Sequence, residues 1–166
     1  MRALIRDAGL QESIELDSAG TGGWHVGSPP DERATETAHA RGVDLVGAAR
    51  QVRREDFEDF DLILAMDQAN LAELGRLAPD EQARSRVRLL REFDPASSAP
   101  VASRRPTEEL EVPDPYYGGS RGFEQVLDIV QAACVGLLEE LREQLEQARG
   151  GAALPEHAPA RDAESA

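Results

Sequence analysis

The stretch FDLILAMD, Phe60–Asp67, decides how this chain is read. Leu62 to Met66 is an apolar run without alternation, the pattern of a strand covered on both faces in a parallel sheet. Asp67 closes the run and can cap a following helix that carries Leu71, Leu74 and Leu77. A second short run, VRLL (Val87–Leu90), has the same character and ends at Phe93, Asp94 and Pro95. Strands alternating with helices predict an α/β domain of three layers with a mostly parallel sheet.

Towards the N-terminus, IELDSAG (Ile14–Gly20) reads as a short strand running into the loop TGGWHVGSPPD (Thr21–Asp31). The helix after that loop is well signalled. Ser28 is the expected N-cap, Pro29 the first helical residue and Asp31 the partner in a capping-box-like spacing, with the helix ending near Arg41 and Gly42. A short helix is expected over Arg53–Phe60. MRALIRDAGL (Met1–Leu10) reads as the end of a helix stopped by Gly9, with no N-cap at its start.

Towards the C-terminus, residues 95–113 form a long segment rich first in Pro, Ser and Ala, then in Glu. Connections of that length are usually functional or disordered. It leads to VPDPYYGG (Val112–Gly119), where Pro113 and Pro115 stiffen the chain around Asp114 and two glycines release it. The last helix, over Arg121–Arg149, carries an apolar stripe at Phe123, Leu127, Val130, Cys134, Leu137, Leu141 and Leu145. One domain over residues 1–149 is expected, followed by a disordered Ala/Pro-rich acidic tail over 150–166.

Composition narrows the function. The 166 residues carry a formal net charge of −14, which argues against nucleic acid and anionic membrane as partners. The same charge repels phosphorylated ligands, so any anion site must rest on local backbone N–H groups and arginine. A single cysteine excludes an intramolecular disulfide. His25, His39 and His157 are scattered and give no zinc-site spacing. There is no signal-peptide pattern and no apolar run of membrane-spanning length, so the cytoplasm is the default location.

Each candidate residue has a bland reading beside a functional one. Asp114 is either a polar turn residue between prolines or a carboxylate held for chemistry. Tyr116 and Tyr117, the only tyrosines, either pack over the core or wall a cleft, and the lone Trp24 in its Gly-rich loop poses the same choice. Gly20–Gly23 is a weak phosphate-loop signal, because no lysine follows it. Cys134, on the apolar stripe, reads as a small buried hydrophobe rather than a nucleophile. The acidic cluster Glu55, Asp56, Glu58, Asp59 and Asp61 reads as a solvated face.

Together, DSAGTGGWHVG (Asp17–Gly27), DFEDFDLILAMDQANLAEL (Asp56–Leu74), EFDP (Glu92–Pro95), VPDPYYGG and GFEQVLDIVQAACVGLLEEL (Gly122–Leu141) resemble the low-molecular-weight protein-tyrosine phosphatases. The resemblance implies a four-stranded parallel sheet with flanking helices and a phosphotyrosine-bearing protein as substrate. It needs no metal or organic cofactor and leaves the oligomeric state undefined. It makes Asp114 the general acid that protonates the departing tyrosine oxygen and later deprotonates the attacking water. Trp24, Tyr116 and Tyr117 become walls for the phenyl ring, and Ser18 and Asp94 become supports of a phosphate loop.

The resemblance also exposes a gap. The family nucleophile is a cysteine in a Cys-x-x-x-x-x-Arg-Ser/Thr loop after the first, central strand, and no such motif occurs in these 166 residues. MRALIRDAGL matches the back half of the helix that follows that loop. The expectation is that about 20 residues are missing ahead of Met1, about six of them a strand, with the true start codon upstream. Without thiolate, loop amides and arginine, the chain as written is expected to be inactive. The alternatives are a catalytically dead family member that binds partners, and an arsenate reductase, which would need further redox cysteines.

Overall fold

The computed structural model describes residues 1–97, 110–116 and 120–151. Tyr117, the segment 98–109 and the tail from 152 onward, with His157, lie outside the described residues. The elements in order are α1 (Arg2–Asp7), α2 (Glu32–Ala40), α3 (Asp56–Asp59), β1 (Ile63–Ala65), α4 (Gln68–Leu77), α5 (Glu81–Ser85), β2 (Val87–Leu89), two 3-10 turns (Leu90–Phe93 and Pro95–Ser97) and α6 (Ser120–Gly151).

β1 and β2 pair in parallel, with Ile63 opposite Val87, Leu64 opposite Arg88 and Ala65 opposite Leu89. The alternation of a strand sends successive side chains to opposite faces, and both faces here are covered. Ile63 and Ala65 join Phe57, Leu74, Ala83, Val87 and Leu89 in a core beneath α4 and α5. Leu62 and Leu64 join Leu90, Phe93, Val112, Ala133, Cys134 and Leu137 in a second core beneath α6. This is why Leu62–Ala65 carries no polar alternation, while Met66 at the end of the run is exposed, and it yields the three-layer α/β arrangement.

α4 starts where Asp67 ends β1: its Oδ1 accepts the Asn70 N–H at 2.7 Å. Asp80 caps α5 in the same way, accepting the Ala83 N–H at 2.7 Å. α5 was not expected from the sequence, although Pro79-Asp80 followed by Glu81 is a helix-start signal. α6 lies against the first 3-10 turn at Gly136, where an added Cβ would collide with the Phe93 carbonyl oxygen. Cys134 is 5% exposed, buried as its place on the stripe predicts.

Three expectations are corrected. The strand over Ile14–Gly20 does not form; only Gly20 makes a bridge, parallel to Gln51. A strand exists through its partner's hydrogen bonds, and among the described residues the sheet contains β1 and β2 alone. The cap of α2 is Asp31, not Ser28: its carboxylate accepts the Arg33 and Ala34 amides, and Glu32 opens the helix. Pro30 disfavours α geometry at Pro29, so a helix cannot begin there. The acidic cluster around α3 is not uniformly solvated. Glu55, Glu58, Asp59 and Asp61 are exposed, but Asp56 is buried.

Candidate active site

Asp114 stands in a short turn held from both ends. On the approach, the Val112 N–H donates to the Met66 carbonyl at 2.8 Å, at the carboxyl end of β1. The Glu111 carboxylate accepts the Gln68 amide at 3.1 Å, and its carbonyl accepts Arg91 Nη1 at 2.8 Å. These three bonds tie the chain before Asp114 to the end of β1, the start of α4 and the turn after β2. Ligand sites of open α/β sheets lie off that same carboxyl edge. Within the turn, Asp114 Oδ1 accepts the Tyr116 N–H at 2.9 Å, an Asx-type closure that Pro113 and Pro115 favour. Asp114 and Tyr116 both face solvent.

Asp94 follows the 3-10 turn that continues β2. It is 8% exposed, and its Oδ1 accepts the Ala96 N–H at 2.9 Å. Because β1 and β2 are parallel, Asp94 and the Asp114 turn both leave the same edge of the sheet, joined through Arg91 and Glu111.

Ser18 and Trp24 lie in the segment that precedes α2. Ser18 is exposed, and its N–H donates to Asp17 Oδ1 at 2.8 Å. Trp24 is 85% exposed and folds back over Gly22, whose missing side chain makes room for the indole. The loop bearing it is pinned to residues 49–52. Gly20 donates to Arg50, Val52 to Gly20, Gly27 to Ala49 and Ala49 to Ser28, all at 2.8–2.9 Å. Among the described residues no hydrogen bond or ion pair joins Trp24 or Ser18 to Asp114.

Two hollows flank this loop, and neither is lined by Asp114, Tyr116, Trp24, Ser18 or Asp94. One, of about 320 Å³, lies between Thr21, Gln51 and Val52 and the α4 residues Glu73, Leu74, Arg76 and Leu77. The other, of about 440 Å³, is walled by Glu15, Asp17, Arg50, Arg53, Asp56, Asp59 and Phe60.

The second hollow contains a charge network that sequence reasoning missed. Arg50 donates to Asp17 and to Asp56, each at 2.8 Å. Asp17 is held below the usual carboxylate range, first by the Ser18 amide and then by Arg50. For Asp56, burial works upward, but the Arg50 hydrogen bond and the Arg53 amide outweigh it and hold the carboxyl low. A charged cluster reads as surface in a sequence because the partner, here Arg50, is visible only once the chain is folded. Among the described residues no cluster of His, Cys, Asp and Glu is arranged to hold a metal ion, and no helix is long and apolar enough to cross a membrane.

A parallel α/β sheet with an Asp-Pro-Tyr turn at its carboxyl edge has clear relatives. Residues 1–147 match the family described as low molecular weight phosphotyrosine protein phosphatase, and the chain belongs to that family. It is 47% identical over 145 residues to a low molecular weight protein-tyrosine-phosphatase of Streptomyces coelicolor, covering 87% of this chain and 84% of that one. It is 34% identical over 140 residues to the human low molecular weight phosphotyrosine protein phosphatase, covering 84% and 82%. Among solved structures, a protein tyrosine phosphatase from Entamoeba histolytica superposes with a TM-score of 0.75 at 36% identity, covering 86% of this chain and 85% of that one. YfkJ from Bacillus subtilis does so at 0.72 and 35% identity, covering 86% and 82%.

Proposed function

We propose that this chain carries the acid half of a protein-tyrosine phosphatase site, with Asp114 as general acid and base. In the first step a cysteine thiolate attacks phosphorus. The S–P bond forms as the P–O bond to tyrosine breaks, and Asp114 gives its proton to the departing phenolic oxygen. In the second step water attacks the phosphorus of the cysteinyl phosphate, Asp114 takes its proton, and the P–S bond breaks to release the thiolate and inorganic phosphate. A phenol leaves far more readily as the neutral species, since its pKa is about 10. Trp24, Tyr116 and Tyr117 are read as aromatic walls around the phosphotyrosyl ring of a protein substrate. Ser18 and Asp94 are read as supports of the phosphate-binding loop.

The thiolate and its anion cradle have no counterpart in these 166 residues, where Cys134 is buried on α6. We therefore read the 166-residue chain as inactive by itself. A complete site would need the nucleophile loop in addition to these residues. Residues 1–149 are read as the phosphatase domain and 150–166 as a tail. We assign the protein to the cytoplasm, where a lone thiol stays reduced, and assign it no cofactor.

The observation that carries this reading is the Asp114 turn, anchored through Val112 and Met66 to the carboxyl end of β1 and closed on Tyr116. The test compares hydrolysis of p-nitrophenyl phosphate and phenyl phosphate by the 166-residue chain and by protein translated from the native start of its gene. The native-start protein should turn over both esters and the 166-residue chain neither. In the native-start protein, Asp114→Asn should lower kcat/KM on phenyl phosphate by about 10²–10⁴. An unchanged rate removes Asp114 from this role. A native-start protein without turnover favours the binding-only member of the family.

A further inference from the structure

Asp114 is positioned by its own turn and by whatever holds Tyr116, two residues on. One contact to it comes from α2, far away in sequence. Arg33, in the first turn of α2, donates Nη1 to the Tyr116 carbonyl at 3.3 Å. Its guanidinium carbon lies 5.4 Å from the centre of the Tyr116 ring and 4.7 Å from that of Phe123, at the start of α6. One side chain thus touches the chain on both sides of the 117–119 junction.

The guanidinium is itself held. Its Nε donates to Asp31 Oδ1 at 3.2 Å and its Nη2 to Asp31 Oδ2 at 3.0 Å, a two-pronged pair. The same Asp31 carboxylate accepts the Arg33 amide at 2.8 Å as the cap of α2. Arg33 is therefore aimed before it meets Tyr116. At the other end of α2, Arg41 makes a separate set of contacts to α6, bridging to Glu124, Asp128 and Gln131. Arg33, at the N-terminal end of α2, is the contact that reaches the turn.

We propose that Arg33 is a positioning residue for the Asp114 turn: by holding the Tyr116 carbonyl and facing the Tyr116 and Phe123 rings, it makes α2 and α6 set where the carboxylate stands. Its catalytic consequence rests on the reading of Asp114 as general acid. Lysine would not replace it, because an ammonium offers neither the fork that Asp31 grips nor a plane to lie against the rings.

The test uses protein translated from the native start of its gene, with Arg33→Ala, Arg33→Lys and Asp114→Asn variants. The first readout is the solvent-exchange rate of the Tyr116 amide by NMR, the donor to Asp114. Both Arg33 variants should raise it by about three- to tenfold, as expected for losing one hydrogen bond and a cation–π contact, while the amides of α2 keep their protection. An unchanged Tyr116 amide, or loss of protection throughout α2, overturns the proposal.

The second readout is kcat/KM on phenyl phosphate against p-nitrophenyl phosphate. A misplaced acid penalises the poorer leaving group, so Arg33→Ala should lose more on phenyl phosphate. An equal loss on the two esters overturns the positioning role. Failure of the general-acid reading shows separately, as Asp114→Asn leaving the ratio between the two esters unchanged. The exchange result still decides whether Arg33 holds the turn.

Discussion

Arg50 Nη1 donates to Asp56 Oδ2 at 2.8 Å, and that carboxylate, only 6% exposed, also accepts the Arg53 amide at 2.8 Å. The pair ties the 49–52 segment, which pins the Trp24 loop, to the start of α3. Asp56 protonates in the folded state below the value of about 3.9 that it has when unfolded. Its contribution to stability is therefore complete above that value and is lost as pH falls through the lower, folded one. Asp17, also held low, acts in the same direction.

Asp56→Ala should accordingly destabilise the fold at neutral pH by about 2–4 kcal/mol, because it leaves Arg50 and the Arg53 amide short of an acceptor. Denaturant unfolding at pH 7 and through the range below pH 4 measures this. The wild type should lose stability on acidification more steeply than the variant. Parallel acid curves would remove Asp56 from the network's role.

Gly136 and Gly75 should respond oppositely to alanine. At Gly136 a Cβ meets the Phe93 carbonyl oxygen, with Pro95 Cδ 3.3 Å away, so α6 must move off the 3-10 turn. Overpacking of this kind costs about 1–3 kcal/mol. Gly75 lies inside α4 with nothing within 4 Å of an added Cβ, so alanine there should stabilise by about 0.5–1 kcal/mol. Thermal unfolding of the two variants gives shifts of opposite sign.

Gly22→Ala should expel the Trp24 ring, which occupies the space a side chain would need. Trp24 is the only tryptophan, so its emission and its quenching by acrylamide report this directly. Trp24→Ala should change global stability by less than about 0.5 kcal/mol, as for other surface positions. A large loss would mean that the indole packs against the body of the protein rather than standing out from it.

Asp94→Ala should cost about 1–2 kcal/mol by leaving the Ala96 amide without its acceptor. Asp94→Asn keeps an acceptor oxygen and should recover most of that loss in denaturant unfolding. If Asn and Ala are equally damaging, the negative charge rather than the hydrogen bond is what the position requires.

Much of this protein is written locally. The unbroken run Leu62–Met66 announces a strand covered on both faces, Asp67 announces the helix that follows, and the stripe through Cys134 announces which side of α6 is buried. Each signal is a matter of side-chain period or of one carboxylate meeting nearby amides, so neighbouring residues suffice. The Asp-Pro-Tyr turn is legible for the same reason: two prolines and an Asx closure act within a few residues.

The features that need a distant partner emerge only once the chain has folded. Ile14–Ala19 has a strand's composition but no ladder, because backbone groups make a sheet only with another chain segment beside them. Asp56 looks like one acid among several until Arg50 and the Phe57 core close around it. Arg33 and Tyr116 stand 83 residues apart, and only the packing of α2 beside the start of α6 brings the guanidinium to the turn. Local chemistry selects the elements; contacts across the chain select which charged groups are buried, paired and held in place.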